Sequence, residues 1–404
     1  MQYQNLKQLS SDSRDFWQAT FALCLGSFFI FASIYTTQPL LPLLSQEFGV
    51  STLEAGLSFS IVTTTLCMSL LFLGPLSDAL GRKVLIVVTM FCVTLITLLL
   101  AFVESFSTMV VLRALQGCFL AGLPVIALAY MAEEFSPKAF ALAAGLYIGA
   151  NTLGGIGGRL ISGVVTDYFG WQAMFGVMAG LGVLCTSFVL FWLPSSKCFE
   201  AKELALKTMF LGMISHLKRP VLVIAFLIGG LNFMVFVNQF SYVAYRLAEP
   251  PYGFSSALIG SLFLTYLSGT FGASVSGKIT QHLAPPIVMM IGIAIMAMGA
   301  LVTLNTQIFL IVCGFFISCF GFFLAHSVAV AWVGRHAQGA KASASALYLF
   351  FYYLGASVGG FYLDVFWQWQ HWLGVVLGIW GVLIVTFLLA LWLYLKQPRK
   401  LLTP

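Results

Sequence analysis

The chain is predicted to be an all-α membrane protein whose twelve transmembrane helices form two pseudo-symmetric six-helix bundles. Three observations predict it. The 404 residues are 60% hydrophobic and 8% charged, with a mean hydropathy of +0.99, whereas soluble domains are apolar over about half of their residues. Twelve stretches approach the roughly 20 apolar residues that a helix needs to cross hydrocarbon, where backbone amides find no water to bond. The longest polar connection, 194–220, falls near the middle and leaves six stretches on either side.

In order, the spans are expected at 17–40, 55–73, 84–103, 108–132, 139–164, 171–193, 221–245, 256–277, 287–304, 308–333, 343–366 and 371–395. This divides the chain into an N-terminal tail (1–16), a first bundle (17–193), a linker (194–220), a second bundle (221–395) and a C-terminal tail (396–404). No small-residue cleavage site follows span 1, which runs into T-T-Q-P-L-L-P, so it reads as a retained span and not a secretory signal.

Basic residues are retained on the cytoplasmic side. With the N-terminus inside, sixteen of the 19 Lys and Arg fall in the tails and the inner connections. The others are Arg113, Arg159 and Arg246. Both termini are therefore expected in the cytoplasm, with the chain multi-pass in a bacterial inner (plasma) membrane. The net charge of +6 follows from this bias and gives no reason to invoke nucleic acid. The eight cysteines are scattered without a C-x-x-C pair, so neither disulfide nor metal site is expected.

Sliding the chain on itself by 201 residues superposes Gln38 on Gln239, Tyr147 on Tyr348, Gly154 on Gly355, Gly158 on Gly359 and Trp171 on Trp372. Six spans per half keep the two halves in the same orientation, with a solute cavity expected between them at mid-membrane.

Between spans 2 and 3 the sequence reads G-P-L-S-D-A-L-G-R-K. It combines a Gly74 expected to end the helix, the acid Asp78, a flexible Gly81 and the basic pair Arg82 and Lys83. With twelve spans and a central basic loop, it resembles the first signature of the major facilitator superfamily, with Ala79 where a basic residue is usual. Arg113, Gln116 and Gly117 match the second signature, R-x-x-q-G. A third, typical of exporting antiporters, is matched in spacing by Gly145, Gly154, Gly158 and Gly163, with Arg159 in place of a proline and Ser162 in place of one glycine. Details of spans 1, 4 and 5 are similar to the YnfM-like bacterial branch, which resembles drug efflux proteins.

The resemblance implies a monomeric secondary transporter, with protons as coupling ion and no cofactor. It also places span 2 opposite span 11, so that Asp78 would lie near the start of span 11 and form with Gly81 and Arg82 a cytoplasmic gate; a solvated turn is the bland alternative. Glu133 and Glu134 could pair with Lys138 or Arg82, in gating or stability. Arg113 either faces the cavity in a coupling or substrate role or snorkels to the interface, and Arg159 has the same two readings. No coupling carboxylate stands in span 1. The titratable candidates are Asp364 and His326, the latter more often a packing residue. Tyr35, Gln38, Gln116, Asn232, Asn238, Gln239 and Tyr242 join them as candidate cavity lining. Gly145, Gly154, Gly158, Gly163, Gly355 and Gly359 should let spans 5 and 11 approach the opposite half. Trp17, Trp171 and Trp372 look like interface anchors.

Efflux of small organic compounds is the function favoured by these features, with a carrier of small organic anions or a non-transporting receptor on the same fold as rivals. Absence of a G-x-x-x-x-G-K-[ST] loop argues against an ATP-driven pump. Without paired intramembrane acids or nucleophile and base spacing, an enzyme is not expected.

Overall fold

The structure, a computed structural model, describes residues 8–196, 198–199, 206–338 and 341–396, with the side chains of 206–208 and 341–342 left aside. Residues 1–7, 197, 200–205 and 397–404 of the predicted tails and linker lie outside the described residues, as do 339–340.

Span 1 is Arg14–Phe48, span 2 Thr52–Leu80, span 3 Arg82–Leu100 and span 4 Phe106–Glu134. Pro137–Trp192 carries spans 5 and 6, broken at Gly170, whose φ of 84° is one that a glycine adopts without strain. Spans 7 to 10 are Pro220–Ala248, Ser256–Ile279, Pro285–Val302 and Ile308–His336. Lys341–Lys396 carries spans 11 and 12, broken at Gln370 and His371. A short helix, Leu206–Leu217, lies in the linker. No sheet occurs among the described residues.

The helix starts follow from local chemistry. Ser13 Oγ accepts from Phe16 N and Ser105 Oγ from Thr108 N, capping spans 1 and 4. Span 2 opens on a capping box: Ser51 N donates to Glu54 Oε2, and Glu54 N to Ser51 Oγ. Prolines at the first turn open spans 5, 7 and 9, where their missing N–H has no helical partner to lose.

Three expectations about the ends of the spans need correction. Span 1 starts at Arg14, ahead of the predicted 17, and Leu9 pairs in parallel with Phe135, so this part of the tail is fixed to the turn after span 4. Gly74 does not end span 2. The helix runs through Pro75 to Leu80 and stops at Gly81, whose φ is 101°, because a proline costs a helix one backbone bond while a left-handed glycine reverses its course. Trp171 and Trp372 are buried, the latter donating through Nε1 to Thr303; Trp17 is half exposed.

The chain divides into two compact units. One takes in the chain through Val50, Leu57–Leu206 and Ser255–Ser261; the other takes in Ser51–Gly56, Lys207–Phe254 and everything from Leu262. In the first, the glycines of span 5 let it lie directly on span 1: a Cβ at Gly154 would strike the backbone of Phe28, and one at Gly158 that of Ala32. In the second, span 11 lies on span 7, with Gly355 against Gly230 and Gly359 against Met234. These contacts are made to the first span of the same unit and not, as expected, to the opposite half. Close helix approach within a six-helix bundle is what removes a side chain there. Gly163 meets Ser256 and Ala257, while nothing lies within 4 Å of a Cβ at Gly145, which is therefore no packing glycine.

Candidate functional site

The first unit is organised by a break in span 1. Pro39 cannot donate to the ladder, so the regular helix ends at Tyr35 and tightens into a single turn at Gln38–Leu40, with Leu40 N bonding Thr37 O. A helix end at membrane depth leaves orphan carbonyls that hydrocarbon cannot satisfy. Thr36 Oγ1 donates to Ala32 O at 2.8 Å and Ser162 Oγ to Thr36 O at 2.5 Å. Arg113 completes the set, its Nη1 donating to Ser33 O at 3.0 Å and its Nη2 to Ile34 O at 3.1 Å.

Arg113 is 0% exposed, so it neither snorkels nor lines a cavity. Its Nε donates to Ser58 O in span 2 at 2.9 Å, and Nη1 also to Gln116 Oε1. Gln116 Nε2 in turn donates to Thr97 Oγ1 in span 3 at 2.7 Å. One guanidinium fork thus ties spans 1, 2 and 4 together and reaches span 3 through Gln116, the planar multi-donor geometry that Lys lacks. Gly117 beside it lies against Val62 of span 2.

Arg159 of span 5 is 1% exposed. Nε and Nη2 donate to Gln38 Oε1 at 2.9 and 2.6 Å, and Nη1 to Gly155 O at 2.8 Å. Its Cζ sits 3.9 Å from the centroid of the Tyr35 ring, within cation–π range. Three predicted residues, Tyr35, Gln38 and Arg159, therefore meet at the break in span 1, and Arg159 too is no interface cation.

At the turn between spans 2 and 3, Arg82 is buried and held within its own unit. It makes two parallel bonds to Glu133, Nε to Oε2 at 3.1 Å and Nη2 to Oε1 at 2.7 Å, pairs with Asp78, and donates through Nη1 to Ser77 Oγ. Glu134 Oε1 accepts from Cys198 N at 2.8 Å, and Phe199 stands 5.8 Å from Arg82. Glu133 thus takes one of its two predicted partners. Glu134 instead secures the start of the linker, which the sequence did not signal.

In the second unit, Gln239 Nε2 donates to Ser318 Oγ at 3.1 Å, and Asn238 Nδ2 to Met234 O and Ala356 O. Tyr242 Oη donates to Gly360 O at 2.7 Å and lies 3.2 Å from Asp364 Oδ1, which also accepts from Thr52 Oγ1 at 2.7 Å. Asp364 is 8% exposed and has no cationic partner among the described residues. His326 Nδ1 shares a hydrogen bond with Tyr348 Oη at 2.8 Å, and its ring lies against those of Phe322 and Tyr352. Asn232 is buried with its Oδ1 unpartnered. Asp364 and Tyr242 come together; His326 belongs to a separate aromatic group.

Helices long and apolar enough to cross a membrane, with buried polar groups at the break in span 1 of the first unit and a buried carboxylate within span 11 of the second, define a polytopic membrane protein. The Major Facilitator Superfamily model matches residues 23–360. The chain belongs to that superfamily, whose members are multi-pass carriers and not enzymes. It is 38% identical over 388 residues to an uncharacterized transporter, YybF, of Bacillus subtilis, covering 96% of this chain and 95% of that one. To the inner membrane transport protein YnfM of Escherichia coli it is 39% identical over 376 residues, covering 92% and 89%. A crystal structure of the nucleoside transporter NupG, solved as a point mutant, shares the fold at a TM-score of 0.76 and 16% identity, covering 93% of this chain and 100% of the other.

Proposed function

We propose that the protein exports small organic compounds by alternating access, as a monomer in a bacterial inner membrane with both termini cytoplasmic, and with protons as the coupling ion. The observation that carries export is the glycine spacing of span 5, since Gly154 and Gly158 bring its backbone onto span 1 in the register that resembles exporting antiporters. The proton is assigned to Asp364, an acid within span 11 held by neutral hydroxyls of Thr52 and Tyr242. Buried acids of this kind in membrane spans mark ion pathways. The Asp78, Arg82 and Glu133 cluster is the cytoplasmic switch.

Proteoliposomes with an imposed pH gradient test this directly, using a panel of cationic and neutral fluorescent dyes. Dye movement opposite to the proton gradient is expected, and Asp364→Asn should abolish it while leaving dye-for-dye exchange intact. Gradient-independent movement would overturn the proton assignment, and movement only toward the cytoplasmic side would overturn export. A second reading, carriage of small organic anions, is favoured by the guanidinium of Arg159 beside Tyr35 and Gln38. Counterflow of labelled carboxylates, with no response to cationic dyes, would select it.

A further inference from the structure

Within the second unit a small cleft of about 70 Å³ opens between the ends of spans 8, 9 and 10. Its walls are apolar at Pro285, Val328 and Ala331 and polar at Ser327, Trp332 and Arg335. Trp332 is 3% exposed, yet its Nε1–H has no hydrogen-bond partner. Such a buried donor is costly to leave unmade. Arg335 is exposed and makes no ion pair among the described residues.

The sequence offers no acid to meet them. Between Glu249 and Asp364 there is not one Asp or Glu, while Lys278, His282, Arg335 and His336 all fall at this end of the bundle. The repeat shows what is missing. Shifted by 201 residues, Glu133 and Glu134 correspond to Gly334 and Arg335, and Asp78 to Ile279. In the first unit Asp78 and Glu133 pair with Arg82 at 2.7 Å or closer and Glu134 accepts from Cys198 N; in the second these acids give way to a cation and two uncharged residues, and Arg82 itself to Leu283.

We infer that this cleft binds a phosphate group, which meets the charge of Arg335 and the unpartnered Nε1–H of Trp332. Arg335 would take the anion by charge-assisted bonds, and Trp332 Nε1 and the Ser327 hydroxyl would donate to its remaining oxygens. The apolar wall favours a phosphate carried by an anionic phospholipid headgroup, since basic pockets between spans on the cytoplasmic side suit such lipids. Free phosphate shares the chemistry and is separated from it by experiment.

Native mass spectrometry of the full-length protein in detergent, titrated with phosphatidylglycerol or phosphatidylcholine, reads the site without requiring transport. Saturable binding of phosphatidylglycerol over phosphatidylcholine is expected. Arg335→Gln and Trp332→Phe should each weaken it about tenfold, the loss of one charge-assisted or buried hydrogen bond. Their melting temperatures show whether either is merely misfolded, and the milder Arg335→Lys should recover part of the binding. Inorganic phosphate that competes with the lipid would confirm the anion site; phosphate binding with no lipid preference would assign it to the free ion. Equal binding of both lipids with no binding of inorganic phosphate, or variants that bind phosphatidylglycerol like the parent, would overturn the proposal.

Discussion

Replacing Arg113 separates the two roles a buried cation in span 4 could have. The side chain makes four described hydrogen bonds, to Ser33 O, Ile34 O, Ser58 O and Gln116 Oε1. At the about 0.6 kcal/mol typical of interhelical bonds in a bilayer, Arg113→Met costs about 2 kcal/mol. At the about 1.5 kcal/mol of the weaker charge-assisted bonds, the cost rises to about 6 kcal/mol. For a chain of this length each kcal/mol moves the melting temperature by about 1–2 °C, so a fall between about 2 and 12 °C is expected. Arg113→Lys should lie between parent and Met, because one ammonium cannot reach carbonyls on two helices with the spread of a guanidinium. Thermal unfolding of the purified protein in detergent reads the shift. The clasp reading fails if Arg113→Met melts like the parent while transport is lost, for then the charge serves solute or proton and not the broken end of span 1.

Three further outcomes follow from the packing. Gly158→Val places a side chain into the backbone of Ala32 and should cost about 1–3 kcal/mol, whereas Gly145→Ala, open on all sides, should be neutral or stabilise by up to about 1 kcal/mol; parallel melting curves check the contrast. Glu133→Gln removes one acceptor pair of Arg82 at a partly exposed site and should destabilise by about 1 kcal/mol, with a coupling to Asp78→Asn measurable in a double-mutant cycle. Trp372→Phe loses the Nε1 bond to Thr303 and should cost about 1 kcal/mol, read by the same melt.

The twelve spans were legible because apolar length is a direct demand of hydrocarbon, and the signature turn because its charges stand out in a chain with so few. The role of Arg113 was not. Sequence shows a cation at depth and suggests a cavity, but the break at Pro39 creates the carbonyls that take its donors, and only folding brings span 1 beside span 4. Likewise the spacing of Gly154 and Gly158 showed a close helix contact without showing its partner, which proved to be span 1 of the same bundle. Thr52 escaped notice because a threonine at a helix start is ordinary; its bond to Asp364 spans 312 positions of sequence, beyond any local pattern. A signal for Ser162 was present, in the small polar residue left where the third signature expects glycine.

The repeat preserves packing and discards charge. Gly154 and Gly158 in one unit and Gly355 and Gly359 in the other perform the same backbone contact, yet the same shift sets Arg113 against Gly314, Arg159 against Gly360 and Gly163 against Asp364. The polar attachments near the ends of spans 5 and 11 follow suit. In the first unit Asp167 Oδ2 accepts from Ala257 N at 3.1 Å; at the matching position in the second, Gln368 Nε2 donates to Thr52 Oγ1 at 3.2 Å. Steric complementarity between helices must hold in both halves for either to fold, so the glycines are constrained twice over. A buried charge is expensive wherever it stands, and keeping it in one copy alone leaves Arg113 and Arg159 to the first bundle and Asp364 to the second. On the proposed assignment of the proton to Asp364 and of solute to Arg159, substitutions at the two residues should change different steps of the cycle.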